Sequence, residues 1–207
     1  MNETKKSPAI IFDFGGVLVD WNPYLLYRKV MKDDQEIKDF LDEIDFKNWN
    51  PIFDRGYSFE KGVEEKCAEY PHRTELLHRF KTHWLDSMGE VNLDTVEVVR
   101  KLKAAGYPLY GLSNWSAFTF KWVKDGFPFL QYLDDYLLSG EVQQVKPEPD
   151  IFHTFLKRIG WKAQDCLFID DSEANIKTAN TLGMQTIRFT TASQLVDELS
   201  QMGILLN

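Results

Sequence analysis

The sequence predicts an α/β fold: a doubly wound parallel sheet with an inserted α-helical cap. Short apolar runs that end at an acid or a serine alternate with helical patterns that end at glycine. One long stretch without strand patterns interrupts this alternation. The 207 residues, 43% of them hydrophobic, suffice for one well-cored domain with a subdomain inserted into it. We therefore expect a core formed by residues 1–19 and 89–207, and a helical cap at residues 20–88.

The predicted strands are apolar along their length, which is typical of parallel strands that are buried on both faces. The first runs from Ala9 to Phe14 and ends in a tight turn at Gly15-Gly16. The other predicted strands are Pro108 to Ser113, Tyr136 to Ser139, Cys166 to Asp170 and Gln185 to Phe189.

Helices are predicted between these strands because apolar residues recur at helical spacing and glycine follows the last turn. In the core, they are expected at residues 93–105, 150–159, 173–182 and 192–202. In the cap, they are expected at residues 24–30, 35–44, 59–70 and 75–87, and no strand is expected. Asn50-Pro51 and Tyr70-Pro71 are interpreted as breaks between cap helices, since a residue before proline disfavours the α region.

Composition excludes several classes of partner. The net charge of −8 disfavours nucleic-acid binding, which depends on clustered Lys and Arg, and the first apolar run is too short to span a membrane. Cys67 and Cys166 belong to no metal-type cluster and are interpreted as reduced thiols. We therefore expect a cytoplasmic protein with a small-molecule substrate, either a monomer or a homodimer.

Chemistry-bearing residues follow several of the predicted strands. Ligands of such sheets bind beyond the carboxyl ends of the strands, where Asp13, Ser113 and Asp170 fall. Four short segments carry these and related residues in a fixed order. They are Phe12-Asp13-Phe14-Gly15-Gly16-Val17-Leu18, Leu112-Ser113-Asn114, Val145-Lys146-Pro147 and Phe168-Ile169-Asp170-Asp171-Ser172.

Together these segments resemble the four motifs of the haloacid dehalogenase superfamily. The likeness extends over nearly the whole core and is closest to the capped branch (subfamily I) with sugar-1-phosphate phosphatases and 2-haloacid dehalogenases. It implies a Rossmann-like catalytic core and a magnesium-dependent hydrolase of small phosphorylated metabolites. In this reading Asp13 is the nucleophile, because a carboxylate in line with phosphorus can form an aspartyl-phosphate.

The resemblance also implies a metal site and a phosphate site. A carboxylate approaching a phosphate needs a cation between them, and Mg²⁺ prefers hard oxygen ligands. Asp13, Asp170, Asp171 and the Gly15 carbonyl are the expected metal ligands. The expected phosphate-binding residues are Ser113, Asn114 and Lys146, with Ser113 and Lys146 also catalytic.

The cap side of the site is less defined by the sequence. Trp115 and Trp21 are candidate walls of the substrate pocket, and Trp49, Phe53 and Arg55 are further candidates for contact with the leaving group.

One position departs from the phosphatase pattern. Most phosphatases of this superfamily carry a second Asp two residues after the nucleophile as general acid, and here that residue is Gly15. The substrate could have a better leaving group, or a cap residue or water could replace the acid. Asp20 is a candidate for the replacement acid, although a role at the hinge of the cap or as a helix cap is favoured.

Gly15 also leaves two other functions open. One is a 2-haloacid dehalogenase, in which Asp13 attacks without a metal and no general acid is needed, because a departing halide takes no proton. The other is a catalytically weak ligand-binding protein. The retained pair Asp170-Asp171, which a dehalogenase does not need, favours the phosphatase.

Overall fold

A computed structural model of the chain describes residues 7–204. The strands are β1 (Ala9–Phe12), β2 (Val19–Trp21), β3 (Met88–Val91), β4 (Leu109–Ser113), β5 (Asp135–Leu138), β6 (Cys166–Asp170) and β7 (Gln185–Arg188). The helices before β3 are α1 (Pro23–Tyr27), α2 (Asp34–Glu43), α3 (Phe46–Trp49), α4 (Pro51–Asp54), α5 (Phe59–Glu69) and α6 (Thr74–Thr82). Those after it are α7 (Leu93–Ala104), α8 (Ala117–Val123), α9 (Ser139–Val142), α10 (Pro149–Ile159), α11 (Glu173–Thr181) and α12 (Ala192–Gln201).

Five strands form a parallel sheet in the order β5-β4-β1-β6-β7. Strand β1 lies at its centre and is completely buried, so its alternate residues supply two separate cores. Ile10 and Phe12 face a large cluster that continues into the cap, and Ala9 and Ile11 face a smaller one that includes residues of α10. The predicted fold class is confirmed.

The strand registers bring the carboxyl ends of the central strands together. Phe12 pairs with Gly111 on one side and with Ile169 on the other. The next residue, Asp13, continues the ladder by donating its amide to the Ile169 carbonyl at 2.9 Å. Gly111 is required here, because a Cβ atom would lie 2.4 Å from the Phe14 ring.

The expectation that residues 20–88 hold no strand is wrong. Strands β2 and β3 form an antiparallel two-stranded sheet, in which Trp21 pairs with Met88 and Val19 with Val91. Each is only three or four residues long, too short for a periodic pattern. Between them lie α1–α6 and short 3-10 turns at Pro71–Arg73 and Trp84–Ser87. We propose that this segment acts as the cap, with the β2-β3 pair at its base.

Several local predictions need correction. Asn50 is in the α region (φ −59°, ψ −41°), although Pro51 follows it, and α3 still ends there. The helix predicted at 75–87 ends at Thr82 because a 3-10 turn follows. Helix α1 is capped by Asn22, which accepts from the Tyr24 amide at 2.9 Å. Asp20 therefore caps no helix; it lies in β2 against Gly89.

Helices α3, α4, α8 and α9 were not predicted, since each is at most seven residues long and has too few turns to show a period. Other element ends differ from the prediction by only one to three residues.

In the part of the chain that the structure describes, no helix has the length and apolar character needed to cross a membrane.

Candidate active site

The candidate site lies where β1, β4 and β6 end. Asp13 follows β1, Ser113 ends β4 and Asp170 ends β6. These three residues are buried, with 8%, 1% and 0% of their surface exposed, so their polar groups need partners inside the protein. The Asp13 carboxylate accepts from the Phe14 amide at 2.7 Å, which fixes one of its oxygens.

Lys146 connects the ends of three strands through a single ammonium group. Its Nζ donates to the Leu112 carbonyl at 2.8 Å and to the Asp170 carboxylate at 2.7 Å, and it lies 2.9 Å from the Asp13 carboxylate. These contacts match the three donors of a lysine, and the side chain is only 1% exposed. Asn114 holds the lysine backbone through two hydrogen bonds of 2.8 Å, one to its carbonyl and one from its amide.

Asp170 is held on several sides, which fixes its orientation. Besides the bond from Lys146, its carboxylate accepts from the Ser172 amide at 2.8 Å and from the Asn175 side-chain amide at 3.0 Å. Asn175 therefore orders the acidic loop as a hydrogen-bond donor, and Asp171 remains the exposed carboxylate of the pair.

The three carboxylates form a potential metal site. Asp13, Asp170 and Asp171 each offer an oxygen, and these oxygens lie within 4.8 Å of one another. At full ionisation the cluster carries three negative charges against the one positive charge of Lys146. An oxygen-only donor set with a surplus of two negative charges fits a divalent hard cation such as Mg²⁺.

Gly16 keeps room for this cluster. Its φ of +75° lies in the left-handed region, and a Cβ atom there would be 2.5 Å from the Asp171 carboxylate. Gly15 does not have this steric constraint, because a Cβ atom added there would meet nothing within 4 Å.

Burial and neighbouring charges raise the pKa values of two acids and of the lysine at this site. Burial raises the pKa of Asp13 to about 7; Lys146 opposes the shift and Asp170 adds to it. Burial, followed by the charge of Asp170, also raises the pKa of Asp171. Burial alone would lower the pKa of Lys146, but the charges of Asp13 and Asp170 outweigh it and raise that pKa. The lysine therefore stays charged.

Ser113 brings an unpaired hydroxyl to the site. Its Oγ is buried and has no hydrogen-bond partner among residues 7–204. A buried hydroxyl without a partner costs free energy, so a polar group of a ligand is a suitable partner.

A cavity of about 130 Å³ opens beside these residues, between the cap and the core. Five of its lining residues are aromatic, and the Trp21 indole Nε1 is buried without a hydrogen-bond partner in the described part of the chain. Gly15 and Asn114 belong to the lining, so the cavity adjoins the strand ends that carry Asp13 and Ser113. The lining consists of Gly15, Trp21, Asn50, Phe53, Asp54, Phe59, Trp84, Asn114, Trp115, Ser116 and Thr119.

Comparison with known proteins identifies the family. The sequence model of the haloacid dehalogenase-like hydrolases matches residues 8–183, most of the chain. The chain belongs to this family of hydrolases. The resemblance carried by the four motifs is thereby confirmed, and the protein is an enzyme of the hydrolase class.

This hydrolase is similar to enzymes with different reactions. A D-ribitol-5-phosphate phosphatase from Bacteroides thetaiotaomicron is 28% identical over 192 residues, covering 86% of this chain and 90% of the relative. A (S)-2-haloacid dehalogenase from Pseudomonas putida is 26% identical over 152 residues, covering 72% of this chain and 67% of the relative. The crystal structure of a haloacid dehalogenase family enzyme from Bacteroides thetaiotaomicron, an Asp12Ala mutant in complex with magnesium and inorganic phosphate, superposes with a TM-score of 0.70 at 23% identity. It covers 89% of this chain and 94% of that one.

The structure separates the pocket candidates of this hydrolase. Trp21, Trp115 and Phe53 line the cavity, and Trp115 also packs on core rings such as Phe127, at 5.7 Å between centroids. Trp49 instead packs inside the cap, and Arg55 pairs with Glu148 at 2.6 Å, so neither lines the cavity.

Sequence reasoning missed Asp54, at the end of α4. It lines the cavity with a partly buried side chain, and burial raises its pKa to about 7. The four-residue helix has no periodic pattern, and the sequence offers no signal that this acid differs from the other cap acids.

Proposed function

We propose that this hydrolase is a magnesium-dependent phosphomonoester hydrolase that acts through an aspartyl-phosphate on Asp13. The observation that carries the proposal is the set of three carboxylates, Asp13, Asp170 and Asp171, whose oxygens come within 4.8 Å around one buried lysine. Such a surplus of negative charge is costly without a cation, and an anionic substrate could not approach it.

Asp13, Asp171 and the Gly15 carbonyl would hold the metal, with Asp170 binding it directly or through water. When bound, the Mg²⁺ supplies the positive charge that lets a phosphate approach Asp13. The Bacteroides thetaiotaomicron enzyme with this fold, which was crystallised with magnesium and inorganic phosphate, supports this assignment.

The residues of the chain then have distinct tasks. One Asp13 oxygen attacks phosphorus while the phosphorus–oxygen bond to the leaving group breaks, and water later hydrolyses the phosphoryl-Asp13. Lys146 opposes the rise in the pKa of Asp13 that burial causes, so it favours the ionised nucleophile, and it orients the carboxylate through their 2.9 Å contact. The Ser113 hydroxyl and the Asn114 backbone amide donate to the phosphoryl oxygens, which gives the Ser113 Oγ the partner that it lacks among the described residues.

The substrate that we propose is a small phosphorylated metabolite, such as a sugar or polyol phosphate. The cavity offers aromatic walls together with Asn50, Thr119 and the unpaired Trp21 indole N–H, which suit a hydroxylated leaving group. The similarity to a D-ribitol-5-phosphate phosphatase supports this class.

A 2-haloacid dehalogenase is the second candidate, because Gly15 stands where a phosphatase acid is usual and a dehalogenase is among the relatives. The acidic pair Asp170-Asp171 disfavours it, since a reaction without metal gains nothing from a surplus of negative charge.

A panel of phosphate esters and short 2-haloacids tests both candidates. We expect phosphate release that requires Mg²⁺, stops with chelator, and falls to background in Asp13→Asn. Asp171→Asn should fold normally but lose the rise in melting temperature that Mg²⁺ gives the wild type. Asp20→Asn is the matched control, an exposed acid in β2 outside the cavity lining, and should keep full activity. Chelator-insensitive phosphate release, or halide release without metal, would contradict the proposal.

A further inference from the structure

Asp54 is an ionisable side chain in a cavity lined otherwise by uncharged residues. Of the described residues that line the cavity, only Asp54 can exchange a proton near neutral pH, whereas the others are aromatic, amide, hydroxyl or glycine residues. The same cavity is bounded by Gly15, the position at which a phosphatase acid would stand in the sequence. An acid on the cap thus lines the same cavity as the position that lacks the usual acid.

The surroundings of Asp54 favour a proton-bearing acid over an ion pair. Across residues 7–204 no charged side chain perturbs the pKa of Asp54; burial raises it to about 7, and the Ser116 backbone amide opposes the shift. The next residue, Arg55, is occupied by Glu148 through bonds of 2.6 and 3.2 Å. Within the described part of the chain, Asp54 therefore has no charged partner that would hold it ionised.

Ser116 also shows where Asp54 lies relative to the core. It is the third residue after Ser113, caps α8 and lines the same cavity as Asp54, which places Asp54 beside the loop that follows β4. The end of α4 also packs near α9 in the core. Opening of the cap would carry Asp54 away from the strand ends, and closure would return it.

We propose that Asp54 is the general acid and base of this hydrolase, supplied by the cap in place of an acid at position 15. The assignment rests on the proposed phosphatase function. In the first step Asp13 forms a bond to phosphorus, the bond from phosphorus to the leaving oxygen breaks, and neutral Asp54 gives its proton to that oxygen. In the second step the Asp54 carboxylate takes a proton from water while the water oxygen bonds to phosphorus and the bond to Asp13 breaks.

Leaving-group dependence separates this role from a structural one. An alkyl phosphate such as ribitol 5-phosphate needs a proton on its departing oxygen, whereas p-nitrophenyl phosphate does not. In Asp54→Asn with Mg²⁺, we expect kcat/KM for the alkyl ester to fall by about 10²–10⁴, and that for the aryl ester to change by less than about tenfold. Asp45→Asn, which removes an exposed cap carboxylate, should leave both values unchanged.

A second variant tests the vacancy at position 15. Because a Cβ there meets nothing within 4 Å, Gly15→Asp can place an acid without displacing a neighbour. The double variant Gly15→Asp with Asp54→Asn should have a kcat/KM for the alkyl ester at least tenfold higher than that of Asp54→Asn alone. Equal losses for both esters in Asp54→Asn, or no loss for either, would overturn the proposal while leaving the phosphatase assignment intact. A wild-type enzyme that is inactive on both esters would overturn the phosphatase assignment and this proposal with it.

Discussion

Replacement of Lys146 by methionine tests the charge balance on which the candidate site depends. The side chain is 1% exposed, and its ammonium group contacts Asp13, Asp170 and the Leu112 carbonyl at 2.7–2.9 Å. Methionine keeps the length and apolar character of the side chain but removes the charge and all three contacts. The variant leaves two buried carboxylates without their cation.

The loss of stability should be large. Removal of one partner from a buried ion pair typically costs about 3–5 kcal/mol, because the other charge stays buried and unpaired. For a protein of this size each kcal/mol lowers the melting temperature by about 2–4 °C, so the metal-free variant should melt about 6–20 °C below the wild type. Since the cluster then carries three uncompensated charges, Mg²⁺ should stabilise the variant more than the wild type.

Thermal unfolding followed by circular dichroism, in chelator and in Mg²⁺, measures both effects. Lys103→Met is the matched control, because Lys103 pairs with Asp134 at the surface with 35% and 42% of the side chains exposed. That change should cost less than about 1 kcal/mol and be insensitive to Mg²⁺. Similar melting temperatures for the two variants in chelator, or an equal effect of Mg²⁺ on Lys146→Met and the wild type, would refute the reasoning.

Two further predictions follow from the same site. The free energy of unfolding of the metal-free protein should fall as pH rises from about 5 to 8. Burial raises the pKa of Asp13 and of Asp54 to about 7, so in this range the folded chain keeps protons that the unfolded chain has released. The stability gained from these bound protons is lost once the pH exceeds about 7. Denaturant unfolding checks this, and a flat profile would contradict it; Asp13→Asn should give a shallower slope. Gly16→Ala should weaken Mg²⁺ binding at least tenfold in a calorimetric titration, because its Cβ atom would lie 2.5 Å from the Asp171 carboxylate. Gly15→Ala is the control and should change the affinity less than threefold, because its Cβ atom would meet nothing within 4 Å. Equal effects of the two changes would argue against the position given to Asp171.

Much of the core could be predicted because local signals and packing agree there. The strand at Cys166–Asp170 was predicted with the bounds that the structure shows, since its five residues are all buried and an acidic loop follows. Parallel strands end at the same edge of a sheet, so an acid after β1 and another at the end of β6 are expected at that edge, and the resemblance to the four motifs implies that they meet. The sequence therefore predicted which carboxylates meet.

The cap could be predicted only in outline. The paired residues Trp21 in β2 and Met88 in β3 have 66 residues between them in the chain, and the pairing of the two strands depends on where the cap helices pack. Asn50 adopts the α region before proline, which tertiary packing imposes against the local preference. Asp54 has no distinguishing signal in the chain, because its burial and its place in the cavity lining depend on tertiary packing.

The sequence by itself determined the family, the order of the parallel strands and of the longer helices in the core, and the carboxylates that meet at the strand ends. Only the tertiary structure decided that Lys146 pairs with both Asp13 and Asp170, that the Ser113 hydroxyl has no partner within residues 7–204, and that an acid from the cap lines the cavity. The physical reason is the separation along the chain of the residues that interact. Strand and helix patterns arise between near neighbours in the chain. Burial, charge pairing and cavity shape arise between segments that only the folded protein brings together.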